Sequence, residues 1–333
     1  MSQLTILGAG SYGTALAMVL APRYERLILW SFEQELAEQM QAHRENRKYL
    51  EGFRLPPNVR VVSRLADALE AADVVLGAVP SMHVRSVFSQ ALPYLPPGAP
   101  IVSATKGVER GTSLRMSEVI AAVTRLKFPA RIAVLSGPSF AKELARGEPT
   151  LVAASAVDGA LAARVQQEFT GPTFRIYTNT DPIGTELGGA LKNVIAIAAG
   201  VSSGLGLGSN AMAGLLTRGL AELTRLAVSL GAQAATLSGL AGLGDLILTC
   251  TGELSRNRRV GLELARGRTL AEIQEGMHMV AEGVENTYSA VELARRQRVS
   301  MPIAETMHAI FEQGKSPHDA LRELMEREPG AEQ

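Results

Sequence analysis

Residues 3–13 read QLTILGAGSYG: a short apolar run of strand formers that closes on G-x-G-x-x-G. The bare glycine pattern is a weak signal. Here it follows a strand directly, and Ser11 to about Leu20 reads as a helix, which is the context that gives each glycine a task. Gly8 permits the tight turn, Gly10 lets the backbone approach a pyrophosphate, and Gly13 lets helix and strand pack closely. The helix start then offers N–H groups and a partial positive charge to phosphates. RLILW at 26–30 supplies the next strand.

An acidic residue is expected about twenty positions on, at the end of that second strand. Glu33 lies there. Its carboxylate can accept from ribose hydroxyls and would disfavour a 2′-phosphate; its other reading is a charge at a helix N-terminus. Arg44, Arg47 and Lys48 are close enough in sequence to swing in. The residues leave NAD and NADP both open.

Outward from this unit the alternation continues. VRVV at 59–62, DVVLGAV at 73–79, PIVSA at 100–104, RIAVLSG at 131–137, TLVAA at 150–154 and TFRIY at 173–177 read as strands, with helical segments between most of them. Near-continuous apolar strands alternating with helices predict a mainly parallel sheet covered on both faces. This is an α/β Rossmann-type domain, placed at residues 1–178. From Pro182 to Glu326 helical periodicity replaces the strands, with start signals at Asp181-Pro182, Ser255, Thr269 and Pro302. Residues 179–333 are therefore expected to form an all-α domain, ending in a frayed tail, EREPGAEQ.

Composition bounds the function. A chain of 333 residues exceeds a typical single core, so two domains are natural. Hydrophobic residues at 46% and charged residues at 20% exclude a disordered chain. Lys plus Arg and Asp plus Glu both number 33, so there is no basic excess for nucleic acid. An anionic small molecule needs only a local basic cluster. The single cysteine, Cys250, excludes an intramolecular disulfide and a cysteine-based zinc site, fits a reducing cytoplasm, and reads as a core residue. Val194 to Leu216 is apolar, but serines, Asn210 and glycines interrupt it, so no membrane span is expected. The many small residues of the helical half would suit a homodimer interface.

Four further segments carry chemistry. Lys106, in ATKG at 104–107, follows a parallel strand and so borders the crevice where ligands bind in such sheets. GPSFAKE at 137–143 also follows a strand and brings Gly137, Ser139 and Ala141. Lys192 and Asn193 lie on a helix of small apolar residues; Lys192 is either a snorkelling surface residue or a buried functional one. GLGD at 242–245 brings Asp245, a candidate partner for Lys192. SRNRR at 255–259 places the Ser255 hydroxyl, the Arg256 fork and the Asn257 amide at a helix start, which suits a phosphate dianion. A solvated helix face is the alternative there.

Together these segments resemble the bacterial NAD(P)-dependent glycerol-3-phosphate dehydrogenases. GAGSYGTALA at 8–17, ATKG at 104–107, SGPSFAKE at 136–143, GGALKNVIAIAAG at 188–200, AGLGDLILTC at 241–250, SRNRRVG at 255–261 and VAEGVENT at 280–287 follow the family's order over most of the chain. The resemblance implies reversible reduction of dihydroxyacetone phosphate to sn-glycerol 3-phosphate, a phospholipid precursor, with non-covalent NAD or NADP and no metal. It implies that Lys192 is the proton acceptor or donor, with Lys106 and Asp245 beside it. It places Lys106, Gly137, Ser139, Lys192, Asp245, Ser255, Arg256 and Asn257 around the substrate. Ser11, Tyr12, Phe32, Lys106, Ala141, Arg256, Val280 and Glu282 would line the cofactor. One departure is Phe32, where the family often has a basic or imidazole side chain. Phe32 can stack on adenine but cannot neutralise a 2′-phosphate. Hydroxyacid dehydrogenases and ketopantoate-type reductases share the two-domain plan, and a nucleotide sensor would share the glycine loop. The SRNRR cluster and the motif order disfavour the first, and the Lys106, Lys192 and Asp245 set disfavours the second.

Overall fold

The structure, a computed structural model, describes residues 2–277 and 281–328. Ten strands form in the first 179 residues: β1 Gln3–Leu7, β2 Arg26–Trp30, β3 Glu45–Asn46, β4 Leu50–Arg54, β5 Val59–Val62, β6 Val74–Gly77, β7 Ile101–Ser103, β8 Ile132–Ser136, β9 Thr150–Ser155 and β10 Phe174–Asn179. Seven helices join them: α1 Ser11–Leu20, α2 Gln34–His43, α3 Leu65–Leu69, α4 Val84–Ala91, α5 Met116–Thr124, α6 Ala141–Ala145 and α7 Gly159–Phe169. Eight strands make one sheet in the order β10-β9-β8-β7-β6-β1-β2-β5. All neighbours pair in parallel except β8 and β9, which pair antiparallel. The expected mainly parallel sheet is therefore present, and its last two strands run against the rest.

Strand side chains alternate between two cores. Leu4 and Ile6 of β1 face α1, α2 and α7, where Leu16, Met40 and Phe169 are buried. Leu7 faces the other layer, α3, α4 and α5, with Phe88 and Ile120. β1 sits between β2 and β6, and strand order reverses there. In an open α/β sheet this reversal opens a crevice at the carboxyl ends of the strands.

The chain then changes class, as its periodicity predicts. Helices follow at α8 Pro182–Gly204, α9 Ser209–Ser229, α10 Ala234–Leu237, α11 Asp245–Thr251, α12 Arg256–Ala265, α13 Leu270–Glu275, α14 Glu282–Gln297, α15 Pro302–Gln313 and α16 Pro317–Met325. All four expected helix starts are used. Asp181 caps α8 through Gly184 N–H and also accepts from Gln233 N–H. Ser255 caps α12, and Thr269 makes a capping box with Glu272.

α8 is the axis of this half. Every residue from Gly184 to Ser202 is buried. By length and composition α8 and the stretch 234–251 are apolar enough to cross a membrane, but 89% of the α8 window is buried inside the protein. Its apolarity is used in packing. Glycines set how close its neighbours come. A Cβ on Gly200 would lie 2.0 Å from the Arg258 carbonyl oxygen, and one on Gly261 would lie 2.0 Å from that of Ile197. The α8 and α12 backbones therefore touch, and neither has a flexible side chain that could give way. Cys250 is buried against this core, and burial pushes its thiol up to about 12, which suppresses the reactive thiolate.

The hairpin β3–β4 has no counterpart in the sequence reading. β3 is only two residues long, and LEGFR is broken by Gly52 and largely exposed, so neither shows the alternation that marks a strand.

Gly261→Ala is expected to lower unfolding stability by about 1–3 kcal/mol, because overpacking here must separate two backbones. Chemical denaturation checks it; an unchanged midpoint would contradict backbone contact between α8 and α12.

Candidate active site

The glycine loop forms as its spacing requires. Gly8 has φ +118°, a conformation L side chains rarely adopt, and a Cβ there would meet the Ala78 carbonyl at 2.7 Å. A Cβ on Gly13 would lie 1.9 Å from the Gly8 carbonyl oxygen. Gly10 differs: a Cβ there would meet no protein atom within 4 Å. Neither fold nor packing demands glycine at position 10, so its bareness fits close approach by something outside the chain. Gly10 is also the N-cap of α1 and offers no side-chain cap, which leaves the first-turn N–H groups around Ser11, Tyr12 and Gly13 for an acceptor. These residues fit the pyrophosphate of a dinucleotide.

The neighbouring strand end supplies Phe32 and Glu33. Phe32 is 75% exposed, and its ring meets Trp30 edge-on at 6.3 Å between centroids. An aromatic face left this open suits stacking by a base. Glu33 occupies the N-cap position of α2 without capping it. Its carboxylate instead accepts from Tyr49 Oη at 2.8 Å and pairs with Lys48 Nζ at 2.5 Å. Arg44 is committed to the Val59 and Pro56 carbonyls, and Arg47 to Glu45. Of the three basic residues close by in sequence, Lys48 is the one that reaches Glu33.

Across the crevice the ends of β7 and β8 meet α8 and α11. Lys106 Nζ donates to the Gly137 carbonyl at 2.8 Å and to Asp245 Oδ2 at 2.7 Å, and lies 3.5 Å from Ser139 Oγ. Lys192 Nζ donates to Asp245 Oδ1 and, at 2.6 Å, to Thr249 Oγ1. One carboxylate, 1% exposed, thus holds two lysines, one on each oxygen. Lys192 is 5% exposed, which settles its status as a buried lysine. Two of its three N–H donors are engaged, leaving one for a ligand. The backbone prepares Asp245 through a wide helical turn, Leu240–Gly244, in which Gly244 N–H bonds to the Gly239 carbonyl. Such wide turns recur at functional sites. Gly188 lets α8 pass the Ala241 carbonyl, where a Cβ would sit 2.7 Å away.

The electrostatics follow from burial. Desolvation lowers the Lys192 pKa to about 8, with Asp245 opposing and Lys106 adding to the fall. Desolvation also pulls on Lys106, but Asp245 and Tyr12 outweigh it, so Lys106 stays above the usual lysine range. The pair is thus split: Lys106 stays charged, and Lys192 is brought down to about 8. The Tyr12 ring lies 5.8 Å from Lys106 Nζ, and its hydroxyl accepts from Ser139 Oγ at 3.2 Å, which ties α1 to this end of the crevice.

Most of the remaining expected site residues gather at the starts of α12 and α14. Ser255 Oγ accepts from Arg258 N–H, so its oxygen caps α12 while its own hydrogen stays available. Arg256 reaches solvent; desolvation lowers its pKa, and Glu282 opposes the shift. Asn257 is committed more fully than its motif suggests. Its oxygen accepts from Gly283 N–H at 2.9 Å and its amide donates to Asn193 at 2.9 Å, leaving one amide hydrogen for a ligand. Glu282 accepts from Ser81 N–H at 3.0 Å and from Ser81 Oγ, clamping α14 to the turn after β6. Ala141 opens α6 beside Ser139. Val280 lies outside the described residues.

Sequence reasoning overlooked Thr249 and Ser81. Thr249 had a signal, since four residues from Asp245 on a helix is the same face. Ser81 had none, because its partner is two hundred positions away. Among the described residues no cluster of three or more His, Cys, Asp or Glu could hold a metal ion.

With this geometry in view, the likeness to known proteins is specific. Residues 3–162 match the model of the NAD-dependent glycerol-3-phosphate dehydrogenase N-terminus, and residues 181–322 match that of its C-terminus. The glycerol-3-phosphate dehydrogenase [NAD(P)+] of Koribacter versatilis is 54% identical over 329 residues, covering 98% of each chain. The enzyme of the same name from Citrifermentans bemidjiense is 50% identical, covering 99% of this chain and 98% of its own. The crystal structure of glycerol-3-phosphate dehydrogenase from Coxiella burnetii superposes with a TM-score of 0.93 at 40% identity, covering 98% of this chain and 99% of that one. The two matched halves, the unbroken coverage and the shared fold leave one conclusion: the chain belongs to the NAD-dependent glycerol-3-phosphate dehydrogenase family.

Proposed function

We propose that this protein interconverts dihydroxyacetone phosphate and sn-glycerol 3-phosphate with NAD or NADP. Residues 1–178 act as the dinucleotide domain and 179–333 as the substrate domain. The observation that carries the reading is the Asp245 carboxylate shared by Lys192 and Lys106, set beside the glycine loop at the carboxyl edge of the sheet. Membership of the family supplies the substrate.

The bound nicotinamide supplies the hydride. The chain's own residues then have separable tasks. Lys192, as an ammonium, donates its free N–H to the carbonyl oxygen, stabilises the charge that develops there and passes its proton to it. In the reverse direction its neutral amine takes the proton. Asp245 and Thr249 aim the Lys192 head, and Lys106 supplies a positive charge that does not titrate near neutrality. Arg256, the Ser255 hydroxyl and the start of α12 hold the phosphate, and that remote binding positions the carbonyl. The Asn257 commitments to Gly283 and Asn193 support a largely positioning role for that residue. Phe32 stacks on the adenine. The single cysteine, buried and inert, accords with a cytoplasmic setting. A homodimer through the helical half is part of the same proposal, supported by the partly exposed apolar residues Met212, Leu215 and Leu216 early in α9.

Lys192→Ala is expected to lower kcat by about 10²–10⁴-fold, the usual worth of a positioned acid–base group, with a smaller change in KM. Steady-state rates with NADH and dihydroxyacetone phosphate test this, and near-normal turnover would remove Lys192 from the chemistry. The pH profile gives a second check. Reduction needs the ammonium, so kcat/KM should be level below pH 8 and fall above it; oxidation needs the amine and should rise through the same value, about 8. Identical profiles in both directions would contradict the assignment. Arg256→Ala should raise KM for dihydroxyacetone phosphate by about 10- to 100-fold, the worth of a charge-assisted bond to phosphate. An unaltered KM would refute the anchor.

A further inference from the structure

The hairpin β3–β4 is long-range equipment at the adenosine end of the crevice. Asn46, fully buried, donates through its amide to the Ala9 carbonyl and to Thr14 Oγ1, both at 2.8 Å. Its oxygen accepts from Tyr49 N–H at 3.1 Å. The hairpin is thereby bolted to the glycine loop and to α1. The bolt fixes where the turn Arg47-Lys48-Tyr49 lies: its Tyr49 hydroxyl and Lys48 ammonium meet the two oxygens of Glu33. Gly8 N–H bonds to the Trp30 carbonyl at 3.0 Å, so the loop after β2 that carries Phe32 and Glu33 runs directly beside the dinucleotide turn.

We infer that the Glu33–Lys48 pair is the device that lets this chain take either cofactor, with Lys48 supplying the countercharge for a 2′-phosphate that Phe32 cannot supply. The inference rests on the cofactor reading above. Glu33, held by Tyr49, presents its remaining lone pairs to the ribose diol of an unphosphorylated cofactor, and Lys48 stays on the carboxylate. A 2′-phosphate repels Glu33 and attracts the ammonium, so Lys48 transfers from carboxylate to phosphate. The head group is free to do this: the pair is solvent-exposed, with side-chain exposures of 47% and 41%, and exposed ion pairs are weak. The pair is neutral, so it neither bars the phosphorylated cofactor as a bare glutamate would nor favours it as a bare arginine would. Glu33 below the usual glutamate range and Lys48 above the usual lysine range, each chiefly through their mutual hydrogen bond, keep both charged across the physiological range.

Calorimetric binding of ADP-ribose and 2′-phospho-ADP-ribose to the full chain tests this without turnover. Lys48→Met should weaken the phosphorylated ligand about tenfold or more, the worth of one charge-assisted contact, and change the other less than about twofold. Lys48→Arg should restore the loss. Glu33→Gln should tighten the phosphorylated ligand several-fold and weaken ADP-ribose. Equal effects of Lys48→Met on both ligands, or none on either, would overturn the inference while leaving the cofactor reading standing. A wild-type chain that binds neither ligand would overturn that reading as well.

Discussion

One buried carboxylate organises the cleft. Asp245 is almost fully removed from water, a position an isolated charge could not hold at neutral pH, and it is tolerable because two ammonium groups share it. The sharing joins the two halves of the chain: Lys106 comes from the sheet edge, and Lys192 and Asp245 come from the helical half. It also divides the lysines by role. The cluster carries one net positive charge in a poorly solvated place, so one proton must be the easier to lose. The lysine more deeply desolvated, Lys192, is the one whose pKa falls. Removing Asp245 would therefore cost one ion pair between the two halves and the split between a fixed and a titrating charge.

The precision of that arrangement depends on helix α8, which reaches its position by having little side chain. Gly188 and Gly189 admit the Ala241 carbonyl and the Ser136 hydroxyl at one end, and Gly200 admits α12 at the other. Close packing of this kind has low compliance, so Lys192 and the start of α12 are held in fixed relation. That suits the proposed reaction, in which the start of α12 would hold a phosphate and Lys192 would protonate a carbonyl. The commitment of Asn257 to Gly283 and Asn193 extends the same rigidity into α14, whose first residue, Glu282, is clamped to Ser81.

At the end of the crevice proposed for the adenosine the constraint is looser. The glycine loop is set by sterics, but the neighbouring Glu33 and Lys48 are exposed side chains, one after β2 and one on a short hairpin. A rigid bolt, Asn46, places an exposed pair, Glu33 and Lys48. Rigid placement with soft contacts fits the inference that this end can take cofactors differing by one phosphate.

Legible in the linear chain were the fold class, an α/β part followed by a helical part, the steric need for glycine at positions 8 and 13, and four helix starts. All of these are local: periodicity, chain reversal and capping act over a few residues, and their signals survive in the linear chain. The strand ends it singled out do come together, because in a parallel sheet the carboxyl ends share one edge. Whether Lys192 was a surface or a buried lysine became clear once the chain was assembled, since a lysine among small residues suits both until its neighbours are known. The tertiary structure alone decided that Asp245 takes both lysines, that Ser81 meets Glu282, and that of three nearby basic residues Lys48 is the one that reaches Glu33. These are contacts between groups tens to hundreds of residues apart, or choices among neighbours made by a two-residue strand with no periodicity to announce it. Desolvation, which sets the Lys192 pKa, is likewise a property of the assembled surroundings and not of any residue in the chain.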